Sequence, residues 1–374
     1  MTGGARGQTV EQVDTGETEQ GGADRGDTRS GTWRTRILGI WRTRIRRGGG
    51  LGTWRTRIRR VVRIGFRPGP WKRGLVLATL ALLLGLLMLL RAEIPNRIGG
   101  LGSLVETFLP WFGLFIPVLL AGALWRRSAS AVLALLLPVM AWLNLFGGLL
   151  IDKSHRGGDL TMASHNVSAD NPDPAGTARD LAASGVDVLA LEELTEQARG
   201  TYEEGLARAY PYHTVQGTVG LWSKLPLSDT RPVDVAMGST RALRTTVATS
   251  QGPLAVYAAH LGSVRVFPAN GFWTATRDAG AQALGKAIAA ERNERVVLLG
   301  DLNGTMDDRA FADLASQMDS AHSTAGDGFG FSWPASFPLA RIDQILVRGV
   351  EPKSSWVLPA TDSDHLPVVA GISW

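Results

Sequence analysis

The sequence predicts an α/β sandwich domain preceded by three transmembrane helices. Uncharged apolar runs cover residues 74–90, 107–125 and 128–151, whereas residues 161–374 alternate short aliphatic runs with turn residues and helical stretches. Strands in clusters with helices between them are typical of sheets that pack together under a cover of helices. The charge also changes sign, because residues 1–151 hold 21 Lys and Arg against 8 Asp and Glu, and residues 152–374 hold 18 against 26.

The first 73 residues divide into two parts. Residues 1–30 are rich in Gly, Thr, Asp, Glu and Gln and contain little to bury, which predicts a disordered tail. Residues 31–73 form a basic arm with three copies of Trp-Arg-Thr-Arg-Ile, beginning at Trp33, Trp41 and Trp54. Trp and Ile interleaved with Arg suit nucleic acid or an anionic membrane surface. Because apolar runs follow, we interpret the arm as a cytoplasmic membrane-surface segment.

Each uncharged run is near the ~20 residues that a helix needs to cross the hydrocarbon core. We therefore predict transmembrane helices at about residues 74–90, 104–125 and 129–151. By the positive-inside rule, the basic arm and the turn at Arg126 and Arg127 face the cytoplasm. The predicted protein is thus a multi-pass plasma-membrane protein with a cytoplasmic N terminus, a linker at residues 152–160 and an extracytoplasmic catalytic domain at residues 161–374.

The predicted domain begins with a strand at residues 160–167. Asp173 and Pro174 then suit the N-cap and first position of a helix that Gly185 closes. Strands follow at residues 186–191 and, after a polar helix from about Thr195, around His213, Val219, Val233, Thr246 and Val256. The remaining predicted elements are a helix at about residues 271–290, a buried strand at 296–299, a helix near Asp307 and strands at 342–347 and 368–372.

Polar side chains stand at the ends of several of these strands. Four aliphatic residues at 296–299 lead through Gly300 to Asp301 and Asn303, which lie on one face of an extended chain. An acid beside an amide suits metal-assisted hydrolysis, although the same residue types also form solvated turns. The other strand ends carry Asn166, Glu192, Glu193, His260, Asp343, Asp364 and His365. Strand ends that converge on one mouth are where sheet proteins build sites.

Six short motifs, in this order, resemble the endonuclease/exonuclease/phosphatase superfamily, which has the fold of DNase I. They are His165-Asn166, Asp187-Val188-Leu189-Ala190-Leu191-Glu192-Glu193, Ala259-His260-Leu261, Gly300-Asp301-Leu302-Asn303, Arg341-Ile342-Asp343 and Ser363-Asp364-His365. The resemblance covers about residues 161–374. It implies a four-layer α/β sandwich, with two mixed sheets face to face and helices outside, and a hydrolase of phosphoric esters or pyrophosphates.

The resemblance also implies roles for the catalytic residues. Asp301 would orient or deprotonate the attacking water, and Asn303 would position that water against the phosphorus. His365, oriented by Asp343, would contact the phosphoryl oxygens. His260 would stabilise charge near the leaving group. The implied reaction is an in-line displacement by water without a covalent intermediate.

A second group of residues would bind metal and phosphate. By the resemblance, Glu193 and Asp364 would hold a divalent cation, with Mg²⁺ as the first choice and Mn²⁺ or Ca²⁺ as alternatives, and Asn166 would orient the phosphate. We interpret Glu192 as the solvent-facing neighbour of Glu193, because strand alternation places consecutive residues on opposite faces. We leave three histidines out of the site: His155, His213 and His322.

The three spans and the basic arm are similar to actinobacterial membrane proteins of the VanJ type, which are linked to teicoplanin resistance. This resemblance implies a role in antibiotic resistance and a lipid-linked phosphate or pyrophosphate substrate of the undecaprenyl type. An anchored extracellular nuclease is the alternative, but the formal charge of about −8 over residues 152–374 disfavours polynucleotide binding. A non-catalytic membrane scaffold is the second alternative. The expected partners are the lipid membrane and a phosphate-containing substrate, and no sequence feature indicates a protein partner.

Overall fold

The structure is a computed structural model that describes residues 69–155, 157–267 and 271–374. The predicted tail and the basic arm up to residue 68 lie outside the described residues. Two six-stranded mixed sheets pack face to face between outer helices, which confirms the expected α/β sandwich.

The strands are numbered in chain order over the described residues. They are β1 (Leu160–Asn166), β2 (Val188–Glu192), β3 (Tyr212–Gln216), β4 (Val219–Ser223), β5 (Leu227–Pro232), β6 (Ala242–Thr249), β7 (Gly252–His260), β8 (Arg265–Phe267), β9 (Gly271–Trp273), β10 (Val296–Asp301), β11 (Asp319–Ser320), β12 (Asp343–Arg348), β13 (Glu351–Val357) and β14 (Val368–Ser373). The first sheet has the order β13-β14-β1-β2-β4-β3, and the second has the order β11-β12-β10-β7-β6-β5. Strands β8 and β9 form a separate hairpin.

The helices are numbered in the same way. They are α1 (Leu75–Leu89), α2 (Leu101–Thr107), α3 (Phe115–Trp125), α4 (Ala129–Ala134), α5 (Leu136–Phe146), α6 (Pro174–Ala183), α7 (Glu196–Leu206), α8 (Ala275–Ala289), α9 (Ala312–Ala315) and α10 (Ala321–Ala325). Short 3₁₀ turns lie at Arg91–Glu93, Leu109–Leu114, Gly147–Leu150 and Arg309–Phe311.

Alternation along each central strand separates two cores. In β10, Val297 and Leu299 point between the sheets, whereas Val296 and Leu298 point outward against α8 and α9. In β2, Val188 and Ala190 join the core between the sheets, and the intervening residues pack against α6 and α7. Each sheet is therefore buried on both faces, which explains its nearly continuous aliphatic strands.

N-cap residues set the N-terminal ends of α6 and α7. The Asp173 side chain accepts a hydrogen bond from the Gly176 amide at 2.8 Å, and Pro174 is the first helical residue. The Thr195 hydroxyl caps α7 through the Ala198 amide in the same way. The predicted starts of both helices are confirmed.

Two predicted elements in the domain differ from the structure. The helix expected from residue 271 begins at Ala275, because Gly271–Trp273 pairs with Arg265–Phe267 as a hairpin. The strand expected around Val233 ends at Pro232. Strand β13 was not predicted, although it pairs with β14 over Glu351–Val357.

The prediction of three transmembrane helices is wrong in number. Among the described residues, only Ala129–Leu150, which has 22 residues, is long and apolar enough to cross a membrane by itself. The segments Leu101–Thr107 and Leu109–Trp125 meet at a 67° bend, so together they supply at most one further candidate. Helix α1 has 15 residues, or about 22 Å, which is short of the ~30 Å hydrocarbon core.

The bend in the second apolar run allows it to contact the sandwich. The Trp111 indole donates to the Leu339 carbonyl at 2.7 Å, and the buried carboxylate of Glu106 pairs with Arg309 at 2.8 Å. Pro110, which lacks an amide hydrogen, lies within the 3₁₀ turn that follows the bend. Composition identifies such a run as apolar but does not reveal that it bends to pack on the next domain.

A buried arginine joins these helices to the loop after β10. The Arg277 guanidinium is fully buried and lies 2.7 Å from the carboxylate of Asp308, which is also fully buried. It also contacts the Ser103 hydroxyl at 3.3 Å and the Asn303 carbonyl at 3.4 Å. Arg277 therefore links α2 to the segment that follows Asp301.

We expect Arg277→Met to lower the free energy of unfolding by about 3–5 kcal/mol, because the substitution leaves Asp308 buried without its counter-charge. Arg179→Met is the control, since the Arg179–Asp173 pair spans 3.9 Å with side chains 73% and 51% exposed, and its loss should cost less than about 1 kcal/mol. Denaturant unfolding of the two purified variants measures the difference. Equal losses would show that the buried pair is not a structural link.

Candidate active site

The site lies where the inward-facing rows of several strands end. The aliphatic row of β10 continues two residues on to Asp301, and that of β7 continues to His260. Strand register places Asp301 beside His260 on one side and beside Asp343 on the other, and it places Asn166 beside Glu192. All five side chains are almost fully buried. The structure thus brings polar ends of both sheets together at one end of the core.

Asp301 is the centre of this cluster. Its carboxylate accepts hydrogen bonds from the Asn166 side-chain amide at 3.0 Å, from the Asn303 backbone at 2.8 Å and from the Asn303 side chain at 3.2 Å. The nearest ring nitrogens of His260 and His365 lie at 3.7 and 3.8 Å. Burial raises the pKa of Asp301, while the charge of His365 acts in the opposite direction. The geometry provides an oriented carboxylate with proton-accepting capacity beside two amide donors.

His365 is held by Asp343. Its Nδ1 lies 2.9 Å from one Asp343 oxygen, and the Ser332 hydroxyl donates to the same oxygen at 2.6 Å. Burial alone would lower the pKa of His365, but the carboxylates of Asp343 and Asp301 outweigh burial and raise it to about 10. The ring is therefore a cation near neutral pH, with Nε2 directed toward Asp301.

His260 has the opposite protonation state. Burial and the neighbouring Arg241 lower the pKa of His260 to about 4, although the Asp301 charge opposes them. Its Nε2 lies 2.9 Å from the Arg241 guanidinium and 3.5 Å from a Glu193 oxygen. The site therefore holds one neutral and one charged imidazole on either side of Asp301.

Arg241 is a site residue that the sequence predictions missed. It directly precedes β6, and because Ala242 pairs with Ala259 in an antiparallel register, Arg241 stands beside the His260 end of β7. No motif marks Arg241 in the sequence, and it reaches the site because an antiparallel neighbour delivers its first residue to the edge where β7 ends. Its cation can neutralise an anionic ligand at this edge.

Glu193 lies just past the end of β2, in a left-handed conformation with φ of 60°. One of its oxygens accepts a hydrogen bond from the Ala169 amide at 2.9 Å, and its side chain is 28% exposed. Asn303 is also left-handed, with φ of 53°. Such conformations are costly for residues with side chains, and they cluster at functional sites.

The interpretation of Glu192 as solvent-facing is wrong. Glu192 continues the inward row of Val188 and Ala190, it is fully buried, and it accepts a hydrogen bond from the Ser164 hydroxyl at 2.9 Å. Burial raises the pKa of Glu192 well above its ordinary value. Alternation correctly separated Glu192 from Glu193, but it did not tell which of them points inward.

Asp364, the other residue predicted to bind metal with Glu193, lies beside His365, whose pKa its charge helps to raise. The Asp364 side chain is exposed and accepts a weak hydrogen bond from the Trp333 indole at 3.4 Å. Of the omitted histidines, His213 stacks on Trp222, and His322 contacts the Gly328 carbonyl. The polar contacts of these two histidines are with residues outside the cluster around Asp301.

The cluster fits a divalent cation. Within the part of the chain that the structure describes, Asp301, Asp343 and His365 form a group whose ligand atoms lie within 4.8 Å of one another. The carboxylate of Glu193 is on the more exposed side of the same site. The carboxylates of Asp343 and Asp301, which raise the pKa of His365 to about 10, supply negative charge that a cation would neutralise. Oxygen donors of this kind suit hard cations.

The chain is similar to known proteins in sequence and in fold. A family model described as the Endonuclease/Exonuclease/phosphatase family matches residues 163–365. A search of the curated proteins gave no match. Similar solved structures include D. rerio TDP2 complexed with single strand DNA product, which is 19% identical with a TM-score of 0.49 and covers 57% of this chain and 98% of its own. A mannosyl-6-phosphatase from Bacteroides thetaiotaomicron is 15% identical with a TM-score of 0.47, and the match covers 58% of this chain and 100% of that one. Sphingomyelinase C from Streptomyces griseocarneus is 20% identical with a TM-score of 0.44, and the match covers 57% of this chain and 98% of that one.

The charge states of two buried acids can be tested by isosteric substitution. We expect Glu192→Gln to change the free energy of unfolding at pH 7 by less than about 1 kcal/mol, because a protonated acid and an amide are both neutral. Asp343→Asn should cost about 3–5 kcal/mol, because it breaks the buried pair with His365. Denaturant unfolding at one pH compares the two. Equal costs would mean that Glu192 is ionised in the folded protein.

Proposed function

The chain belongs to the endonuclease/exonuclease/phosphatase family, and from this premise we propose that it hydrolyses a lipid-linked phosphate or pyrophosphate at the outer membrane surface. The family hydrolyses phosphoesters with the help of a divalent metal, and the chain is a phosphoester hydrolase. One observation supports the chemistry above the others: Asp301 lies between two amide donors and a charged His365.

Metal binding in the proposal uses the oxygen-rich side of the cluster. The carboxylates of Asp301 and Asp343 are buried and that of Glu193 is partly exposed, whereas His365, which is protonated, contributes no ligand. When bound there, a divalent cation such as Mg²⁺ would polarise the phosphoryl group and neutralise its charge. Mn²⁺ and Ca²⁺ accept the same donors.

The side chains divide the rest of the work. Asp301 takes a proton from the attacking water, and its raised pKa makes it a better base than an exposed aspartate. The Asn303 amide orients the water. His365 donates from Nε2 to a phosphoryl oxygen, so that negative charge in the transition state meets a cation already in place. Asp343 keeps the ring in that orientation through Nδ1.

Arg241 and His260 serve the opposite side of the phosphorus. The guanidinium attracts the anionic substrate, and the neutral imidazole, whose pKa is about 4, donates a hydrogen bond that stabilises charge on the leaving oxygen. Water attacks in line with this leaving group. Because water itself attacks the phosphorus and gives its proton to Asp301, this sequence of steps forms no covalent intermediate with the protein.

The membrane part of the proposal is supported by the N-terminal helices. The segment Ala129–Leu150 is long and apolar enough to span. Leucine and valine side chains on this segment and on the neighbouring helices are exposed, including Leu133 at 58%, Leu83 at 56% and Val118 at 67%. Exposed apolar surface of this extent is typical of contact with lipid. With Arg126 and Arg127 on the cytoplasmic side, Leu109–Trp125 would run inward and Ala129–Leu150 would run outward, so that the catalytic domain and the residues around Trp111 that contact it would both lie outside.

The proposed substrate rests also on the similarity to VanJ-type proteins. This similarity favours an undecaprenyl carrier as substrate and a role in resistance to glycopeptide antibiotics. A site supported by apolar helices would receive its substrate from the lipid surface. The net negative charge of about −8 over residues 152–374 disfavours a polynucleotide, which the alternative nuclease function requires.

Activity should depend on metal and on Asp301. We expect the purified full-length chain to hydrolyse undecaprenyl phosphate or pyrophosphate with Mg²⁺ and to lose this activity in chelator. Asp301→Asn should lower kcat by about 10³-fold, the range of a lost general base. His213→Gln, a substitution on the exposed edge of the first sheet, is the control. Phosphate release from the lipid, a phospholipid and plasmid DNA is measured side by side. Cleavage of DNA alone, by the wild type and not by Asp301→Asn, would establish the nuclease instead.

Topology can be measured separately. A reporter that is active only outside the cytoplasm, fused after Trp374, should be active in cells. The same reporter fused after Arg127 should be inactive, because this basic turn is proposed to face the cytoplasm. The reverse result would place the catalytic domain inside.

A further inference from the structure

A cavity lies between the N-terminal helices and the loop that leads to β12. Its volume is about 420 Å³, within the range of about 300–1,000 Å³ for small-molecule sites. All eleven lining residues are apolar, aromatic, glycine or proline, and none is ionisable. The principal walls are formed by Trp111, Ile116, Val139, Trp142, Phe329 and Phe331.

The two tryptophans present no unused polar group to this cavity. The Trp111 indole donates to the Leu339 carbonyl at 2.7 Å, and the Trp142 indole donates to the Pro110 carbonyl at 2.9 Å. A sugar or nucleotide would leave its polar groups unpaired against such walls, at a cost of several kcal/mol. The lining therefore suits a hydrocarbon chain.

One wall of the cavity is adjacent in the chain to a residue of the active site. Phe331 stacks on Trp111 at 5.5 Å between ring centroids, and Phe329 stacks on Phe331 at 5.2 Å. The next residue, Ser332, donates its hydroxyl to Asp343 at 2.6 Å. A single residue thus separates the apolar wall from the pair that orients His365.

The other wall belongs to the apolar helices. Val139, Trp142 and Leu143 lie on the segment Ala129–Leu150, which is able to span a membrane. Leu114 and Leu143 at the cavity are 60% and 50% exposed. The cavity is therefore open on the surface of these helices and is bounded on its other side by the loop that carries Ser332.

We propose that this cavity binds the hydrocarbon chain of the substrate while its phosphate is held at Asp301 and His365. The occupant is one acyl or isoprenyl chain of a lipid phosphate. This inference rests on the proposed function for the phosphate, but the cavity and its apolar lining are independent of turnover. It assigns substrate selection by chain length to Phe329, Phe331 and the two helices.

The test uses two probes with one headgroup, hexadecyl phosphate and butyl phosphate. Val139→Trp fills the cavity, whereas Met140→Trp adds the same side chain at the adjacent position, which is 69% exposed and does not line the cavity. Both are made in the full-length chain in lipid nanodiscs. We expect Val139→Trp to raise KM for hexadecyl phosphate at least about tenfold relative to Met140→Trp. Neither substitution should change the kinetics with butyl phosphate.

A second pair of variants keeps the test valid if Val139→Trp or Met140→Trp fails to fold. Ile116→Trp obstructs the facing wall, and Val118→Trp is its control because Val118 is 67% exposed and outside the lining. Melting temperatures identify any variant that fails to fold. If neither Val139→Trp nor Ile116→Trp distinguishes the two chain lengths while both fold, the cavity does not bind the chain.

Binding separates this inference from the proposed function. In the Asp301→Asn background, the affinity for each alkyl phosphate is measured by equilibrium binding without turnover. We expect hexadecyl phosphate to bind more tightly than butyl phosphate, and Val139→Trp to abolish this difference. That result would support chain binding in the cavity even if the wild type hydrolyses no lipid phosphate. Hydrolysis of lipid phosphate with no effect of Val139→Trp on affinity or KM would overturn the cavity and leave the proposed function intact.

Discussion

The structure depends on the alternation of side chains along strands that are buried between two sheets. The inward rows of β2, β7, β10 and β12 are aliphatic over most of their length, and each ends in a polar residue at the same level. A slip of one residue would move every row to the opposite face, so burial of the aliphatic residues fixes the register. The same register fixes where Asp301, Asp343 and His260 meet. Core stability and site geometry are thus one constraint, because neither can change without the other.

Burial at the end of the core also sets the electrostatics. Carboxylates that converge in a region of low dielectric cannot all remain charged without compensation. Three effects reduce or offset this negative charge. Burial raises the pKa of Glu192, and the pKa of His365 rises to about 10, so that its ring is a cation. Amide donors from Asn166 and Asn303 stabilise the carboxylate of Asp301. The remaining negative charge suits a cation, and the positive charges of His365 and Arg241 suit a phosphate. A site for a metal and an anion together follows from the placement of these groups.

The sequence was sufficient where local chemistry and periodicity agree. Four aliphatic residues before Gly300 predicted β10, and Asp173 with Pro174 predicted the start of α6. The sequence failed where the outcome depends on distant parts of the chain. Alternation separated Glu192 from Glu193 but could not tell which faced the second sheet. Arg241 carries no motif, since only its pairing beside β7 brings it to the site. The hairpin of β8 and β9 has no extended apolar pattern of its own.

The predicted number of transmembrane helices is wrong because the second apolar run bends and packs against the sandwich. Composition predicted a second span, yet the chain bends by 67° and directs α2 and the following turn at the sandwich. There Glu106 pairs with Arg309, Ser103 contacts Arg277, and Trp111 contacts Leu339. Arg277 also contacts the carbonyl of Asn303, two residues from Asp301, and Leu339 lies four residues before Asp343. The helices therefore support both loops that carry the catalytic aspartates, so their position and the position of the active site are mechanically linked. A simple anchor would need none of these buried polar contacts, and it would gain nothing from breaking an apolar run that could otherwise have spanned the bilayer.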